Sequence, residues 1–308
     1  MILPLIDWQP QAPLQRLHFD WLQHAGVQAA VLRLDLIDPL ISGNKWFKLQ
    51  HHLRAAHAAG AHGLISLGGA HSNHLHALAA AGKRLGFATV GLLRGHAQQT
   101  PTTRDLERFG MHLHWLGFAG YRARHEPDFW APWHAQYPLL HAVPEGGGGV
   151  AGALGCMTLA TQVRDQCAAL GWEDYDAWWL AAGTGTTLAG LVLAEAGQRW
   201  VYGALAVPAD HGVVPNVKAI LQQTQCESFN YHVIDASRGG FAKVDDALLA
   251  FIQQSEATSG LPLEPLYTGK ALMALKQAVE TGVVMRGERI VFVHTGGMQG
   301  RRGFTTKV

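Results

Sequence analysis

The stretch Ala177-Trp178-Trp179-Leu180-Ala181-Ala182-Gly183-Thr184-Gly185-Thr186-Thr187-Leu188-Ala189-Gly190 decides the fold. Six apolar residues end on a Gly/Thr turn, and a second apolar run of helical length follows. Residues 177–194 are eighteen positions without a charge, enough to mimic a membrane span by hydropathy alone. Three glycines and three threonines interrupt the middle, so a buried strand, a turn and a helix account for it better. The same pattern recurs outward in both directions. Strand-like runs stand at 30–35, 63–68, 88–95, 111–116, 139–143, 177–182, 202–207, 229–234 and 290–295. Helical stretches at 45–59, 73–85, 151–169, 186–198, 243–256 and 270–281 lie between them. Strands separated by helix-length segments form βαβ units, hence parallel sheets with helices on both faces. The runs are near-continuously apolar, as strands covered on both faces are. The predicted class is α/β.

A length of 308 residues predicts about two domains or one large one. Apolar residues make up 48%, which rules out disorder, and charged residues 15%, well below the roughly 25% of ordinary soluble chains. The 36 glycines show no G-X-Y period, which excludes collagen. With 24 Lys and Arg against 23 Asp and Glu the net charge is +1, a poor fit to a nucleic-acid or anionic-membrane binder. Three cysteines without a C-x-x-C pattern argue against a disulfide framework or a zinc–thiolate site. They fit a reducing compartment. Met1–Asp7 lacks a basic segment and is too short for a signal sequence, so a cytoplasmic location is expected. The run Gly146–Gly149 reads as a hinge or domain junction, with a softer boundary near Pro39–Gly43.

Three glycine-flanked turns follow strands, and in a parallel sheet such turns gather where ligands bind. In Ser66-Leu67-Gly68-Gly69-Ala70-His71-Ser72-Asn73-His74, residues Ser72 and Asn73 stand at a helix start. Its backbone N–H groups suit an anion such as a carboxylate, although plain N-capping explains the same residues. The Gly183–Gly190 turn has the composition of a phosphate cradle, or of a tight strand–helix turn. It is not a Walker loop, having no Lys after its last Gly. As a dinucleotide site it is disfavoured, because the 202–207 strand runs into Val207-Pro208 rather than an acid. The third turn is His294-Thr295-Gly296-Gly297. Elsewhere, Ser42-Gly43-Asn44-Lys45-Trp46-Phe47-Lys48-Leu49 sets two lysines on one helical face. A solvated face is the ordinary reading, but a lysine among apolar neighbours loses pKa and becomes a nucleophilic amine. Of 18 histidines, the densest group is His71-x-x-His74-x-His76, which has no nearby acid and does not keep to one face. No metal site is expected.

In order, SGNKWFKL, LGGAHSNH, GTGTTLAG, LYTGKAL and HTGG resemble the successive signatures of the 1-aminocyclopropane-1-carboxylate (ACC) deaminase/D-cysteine desulfhydrase family. This family depends on pyridoxal phosphate and has the two-lobed tryptophan-synthase β-like fold, fold type II. The motifs span residues 42–297. The resemblance implies that Lys45 forms the Schiff base with the cofactor and Lys48 supports its phosphate. It implies that Gly183, Thr184, Gly185, Thr186 and Thr187 hold the phosphate, that Asn73 bonds the phenolic oxygen and that Tyr267 lies against the ring. Ser72, with the backbone of Asn73 and His74, would receive the substrate carboxylate, and Ser72 would also relay a proton.

The family's branches differ at two motifs. ACC deaminases resemble YEGK and HLGG, whereas this chain has Tyr267-Thr268-Gly269-Lys270 and His294-Thr295-Gly296-Gly297, like the D-cysteine desulfhydrases. A threonine facing the ring nitrogen supplies no negative charge, so Thr268 and Thr295 favour β-elimination, in which charge leaves with sulfur. The expected activity is therefore conversion of a small D-amino acid such as D-cysteine to pyruvate, ammonia and sulfide, with ACC deamination as the alternative. Alternatives of another class are a nucleotide-binding oxidoreductase and a histidine-rich metal-binding protein. The chain departs from the family's EGGSN at Gly148-Gly149 and from its usual Gln at His71. A larger cofactor-binding domain over 1–46 and 146–308 and a smaller one over 47–145 are expected, in a homodimer.

Overall fold

The computed structural model describes residues 7–227 and 230–303. Met1–Ile6 and Phe229, used in the readings above, lie outside the described residues. From the N-terminus, β1 (Leu14–Leu17), α1 (Asp20–Ala25), β2 (Gln28–Arg33) and α2 (Asn44–Ala58) come first. Next are β3 (Gly63–Gly68), α3 (Asn73–Leu85), β4 (Ala88–Leu93), α4 (Pro101–Arg108), β5 (His112–Trp115), α5 (Gly117–Arg122), α6 (Ala131–Gln136) and β6 (Leu140–Ala142). There follow α7 (Gly149–Cys156), α8 (Thr158–Cys167), β7 (Ala177–Ala182), α9 (Thr186–Glu195), β8 (Trp200–Leu205) and α10 (Val213–Gln223). The last elements are β9 (Tyr231–Asp235), α11 (Asp246–Ser259), α12 (Thr268–Glu280) and β10 (Arg289–His294).

Two sheets result, with strand orders β1-β2-β10-β7-β8-β9 and β5-β4-β3-β6. Among the described residues every pairing between these strands is parallel except that of β1 with β2. Each of the nine strand runs expected from the sequence overlaps one of β2–β10, with ends displaced by at most two residues. The missing reading was β1, a four-residue antiparallel edge strand whose two central residues are exposed, so no apolar run marks it. The helix expected over 151–169 is two helices, α7 and α8, separated at Met157, where the Met157 N–H turns back to Leu154 O.

The continuous apolar strands face two cores at once. In β7, Trp178 and Leu180 enter one core while Ala177, Trp179 and Ala181 enter the other, and Val291 and Val293 of β10 alternate likewise with Ile290 and Phe292. Successive side chains of a strand point to opposite faces, so a strand clad by helices on both sides is apolar at most of its positions. The first core runs on through α2 and α7 to Leu64 of β3 and Leu75 of α3, joining the two sheets. The expected domain junction at 46/47 falls inside α2. Because β7 and β10 are parallel neighbours, Gly183–Thr187 and Thr295–Gly297 emerge at the same rim.

Candidate active site

Helix α2 starts against that rim. Its N-cap, Gly43, has φ of +75°, and a Cβ there would overlap the Thr295 carbonyl, so only glycine lets the chain cross at this point. The Asn44 N–H then donates to Thr295 O (3.2 Å). Asn44 Nδ2 donates to Thr187 Oγ1 (2.9 Å) and its Oδ1 accepts from Lys45 Nζ (3.0 Å). One turn on, Lys48 Nζ donates to Thr184 Oγ1 (3.2 Å), itself 3.2 Å from Thr186 Oγ1. Side chains about 140 residues apart in sequence are thus stapled together, which rules out a solvated lysine face: Lys48 is only 3% exposed. Burial, with the Lys48 ammonium behind it, brings Lys45 down to about 7, and burial brings Lys48 down to about 8. Lys45 is therefore an amine that exchanges its proton near neutrality.

The Gly183–Thr187 turn presents the start of α9, where no side chain caps the helix. The first intrahelical bond from this turn runs from Ala189 N to Gly185 O, so the N–H groups before it face outward with the positive end of the helix dipole. The hydroxyls of Thr184, Thr186 and Thr187 and the buried Lys48 ammonium gather at this helix start.

At the second turn, Ser72 does cap α3, its Oγ accepting from Leu75 N (3.2 Å). The capping reading is thus correct as far as it goes, and the hydroxyl keeps its own proton to donate. Asn73 Nδ2 lies against Gly297, where a Cβ would come to 2.6 Å, and its Oδ1 accepts from Gln299 Nε2 (2.9 Å). The His74 ring turns inward instead, 2% exposed. Ser66 Oγ stands 2.7 Å from both His74 Nε2 and Val143 O. The carbonyl can only accept, so the single Ser66 proton goes to it and His74 Nε2 must carry the hydrogen. His74 Nδ1 is then a bare acceptor, buried and without a partner. Burial, reinforced by the Lys45 and Lys48 ammoniums, holds His74 far below the usual imidazole range, so it is neutral. The three clustered histidines diverge: His74 bonds Ser66, His76 pairs with Asp105 (3.2 Å), and His71 lies beside Gly303. Among the described residues no group of His, Cys, Asp and Glu could hold a metal ion.

The remaining wall is Tyr267, whose ring covers Gly183 and packs on Phe241 with centroids 5.5 Å apart. Burial raises its phenol above the usual range. Thr268 is fully buried, and its Oγ1 accepts from Glu264 N (2.9 Å). Glu264 escaped the sequence reading. It is 1% exposed and its carboxylate accepts from the N–H groups of Leu266 (2.8 Å), Tyr267 (2.6 Å) and Thr268 (2.6 Å). It thereby anchors the start of α12, and burial pushes its carboxyl up despite those donors. The usable signal was one acid between two prolines, Pro262-Leu263-Glu264-Pro265, just before a helix.

The five motifs surround one site, and the profile of the family described as "Pyridoxal-phosphate dependent enzyme" matches residues 2–296. The chain belongs to that family. A Pyrococcus abyssi protein provisionally named 1-aminocyclopropane-1-carboxylate deaminase is 28% identical over 97% of this chain and 92% of its own. A D-cysteine desulfhydrase of Klebsiella pneumoniae is 26% identical over 89% of this chain and 88% of its own. Among solved structures, an ACC deaminase homologue superposes with a TM-score of 0.81 at 26% identity, covering 97% of this chain and 92% of that one. A tomato (Solanum lycopersicum) threonine deaminase superposes with a TM-score of 0.69 at 15% identity over 96% of this chain and 86% of that one, a likeness of fold alone. The fold is that of the type II pyridoxal-phosphate enzymes. The site fits the cofactor: an amine of lowered pKa for its aldehyde, an uncapped helix start with hydroxyls and an ammonium for its phosphate, and an aromatic face for its ring. Among the described residues no helix is long and apolar enough to cross a membrane.

Proposed function

We propose that this enzyme eliminates the β-substituent of a small D-amino acid with a thiol, D-cysteine being the type substrate: D-cysteine and water give pyruvate, ammonia and hydrogen sulfide. Pyridoxal phosphate, when bound, supplies an aldehyde for the substrate amine and a ring that withdraws electrons from the α-carbon. The chain's residues do the rest. Lys45, poised near neutrality, takes the α-proton. The α3 N-terminus and the free Ser72 proton bind the carboxylate. Lys48 and Thr184–Thr187 would hold the phosphate, Asn73 Nδ2 the phenolic oxygen, and Tyr267 the ring face. Thr268 and Thr295 would stand on the side of the ring nitrogen. Residues 47–145 act as the smaller lobe of a homodimeric cytoplasmic enzyme.

The observation that carries the choice of reaction is Thr268. Where the ACC-cleaving branch resembles YEGK, this chain places a hydroxyl already engaged by the Glu264 backbone. No side-chain charge at that position favours full protonation of the ring nitrogen, which thiolate expulsion tolerates and carbon–carbon cleavage does not. ACC deamination stands as the second reading because Glu264 brings a carboxylate within one turn of Thr268. Purified enzyme assayed side by side on D-cysteine, L-cysteine and ACC tests both. Sulfide from D-cysteine with negligible ketobutyrate from ACC is expected, and efficient ACC turnover without sulfide would overturn the proposal.

A further inference from the structure

Lys270, the last residue of the YTGK motif, has no part in the chemistry above. It stands in the first turn of α12, where a cation opposes the helix dipole. It is 1% exposed, and an apolar side chain of similar length would fill the space without desolvating a charge. What explains the charge is three backbone carbonyls: Lys270 Nζ donates to Ser237 O (2.9 Å), Gly240 O (2.9 Å) and Phe241 O (3.0 Å). An ammonium has three protons, and all three are used. Carbonyls gathered in this way are how proteins replace the hydration shell of a monovalent cation.

We propose that the carbonyls of Ser237, Gly240 and Phe241 form a monovalent-cation cage whose resident ion is the Lys270 ammonium, and that this internal ion seats Phe241 against Tyr267. The enclosed loop requires such a clamp. Arg238 holds a left-handed conformation at φ +56°, which a non-glycine residue keeps only when its surroundings enforce it. The Ser237 N–H is tied to Asp235 Oδ1 (2.8 Å), Gly240 N to Ser237 O (3.2 Å), and Arg238 to Asp245 (2.5 Å), so the loop closes around the ammonium. Glu264, Asp245 and Asp235 offset the buried charge while Arg238 opposes it. Phe241, whose carbonyl is the third ligand, packs on Tyr267, and Tyr267 covers Gly183. The link from cage to turnover rests on the reading of Tyr267 as a wall of the active site, whereas the cage itself does not.

The test is Lys270→Ala holoenzyme melted and assayed in equal concentrations of ammonium, n-propylammonium, potassium, sodium or tetramethylammonium chloride. The wild type should melt alike in all five. Lys270→Ala should melt roughly 5–10 °C lower in sodium or tetramethylammonium and regain at least half of that loss in ammonium, propylammonium or potassium. Its kcat/KM should fall about tenfold and recover with the same ions. Lys270→Met, which fills the stem's path, should melt low in every salt. A loss in Lys270→Ala that is equal in all five salts, or a recovery in tetramethylammonium matching that in ammonium, overturns the cage. Recovery of the melting temperature without recovery of kcat/KM overturns the link to Tyr267. If Lys270→Ala is insoluble, refolding yield in the same salts replaces melting, and equal yields overturn the cage. Melting uses no substrate, so failure of D-cysteine turnover in the wild type would count against the proposed function and leave this readout standing.

Discussion

Replacing Ser66 by alanine removes one oxygen that serves two buried groups. Its hydroxyl accepts from His74 Nε2 and donates to Val143 O, each at 2.7 Å, and none of the three residues is open to solvent. In Ser66→Ala a donor and an acceptor are both left without partners, at about 1–3 kcal/mol each. The void is smaller than a water molecule with its hydrogen bonds needs, so solvent repairs little of this. The expected loss is on the order of 2–5 kcal/mol, a fall in Tm of roughly 5–15 °C by calorimetry at pH 7.5. A second consequence is more diagnostic. In the wild type His74 carries its hydrogen on Nε2, leaving Nδ1 bare. With Ser66 gone nothing holds that tautomer, and the hydrogen should shift in part to Nδ1. Histidine 15N spectra of labelled protein, with the His74 signal identified from a His74→Gln sample, read the two nitrogens separately. A wild type protonated on Nδ1, or a Ser66→Ala protein with unchanged Tm and unchanged tautomer, would refute the deduction.

Lys45→Ala should abolish the visible absorbance of the bound cofactor, its borohydride reduction and essentially all turnover, whereas Lys48→Ala should chiefly weaken cofactor retention on dialysis; a borohydride-reducible adduct in Lys45→Ala would remove Lys45 from its role. Ser72→Ala should lose only about 0.5–2 kcal/mol of stability as a missing N-cap but on the order of 10²-fold in kcat as a missing donor. A lower Tm with undiminished kcat would leave Ser72 as a cap alone. The enzyme should weaken in acid: His52 is held down to about 4 chiefly by burial, against 6.5 in the unfolded chain, and His74 is lowered too. Between those pH values the unfolded chain binds protons that the folded chain refuses, so stability falls with pH by about 1.4 kcal/mol per unit for each such histidine. Urea titrations from pH 7 to pH 4.5 check this, and a flat profile would contradict it.

What the sequence alone settled here is local. The runs 63–68, 177–182 and 290–295 are largely apolar and are followed by glycine turns, which specifies parallel strands clad on both faces and a ligand rim at their carboxyl ends. Those properties follow from backbone pleat and turn chemistry, which neighbouring residues carry. Tertiary structure decided the rest. Nothing near Asn44 in sequence says that its amide meets Thr187, and nothing near Ser66 says that its one proton goes to Val143 and so strips His74 Nδ1. Whether Lys45 and Lys48 stand in open water or are shielded from it depended on α7 packing over α2, since a lysine loses its pKa only when other elements exclude solvent from it. Glu264 and Lys270 escaped for the same reason: beside their sequence neighbours they are an acid and a base near a helix start. Only the closed fold turned one into the acceptor for three backbone N–H groups and the other into the ion between three carbonyls.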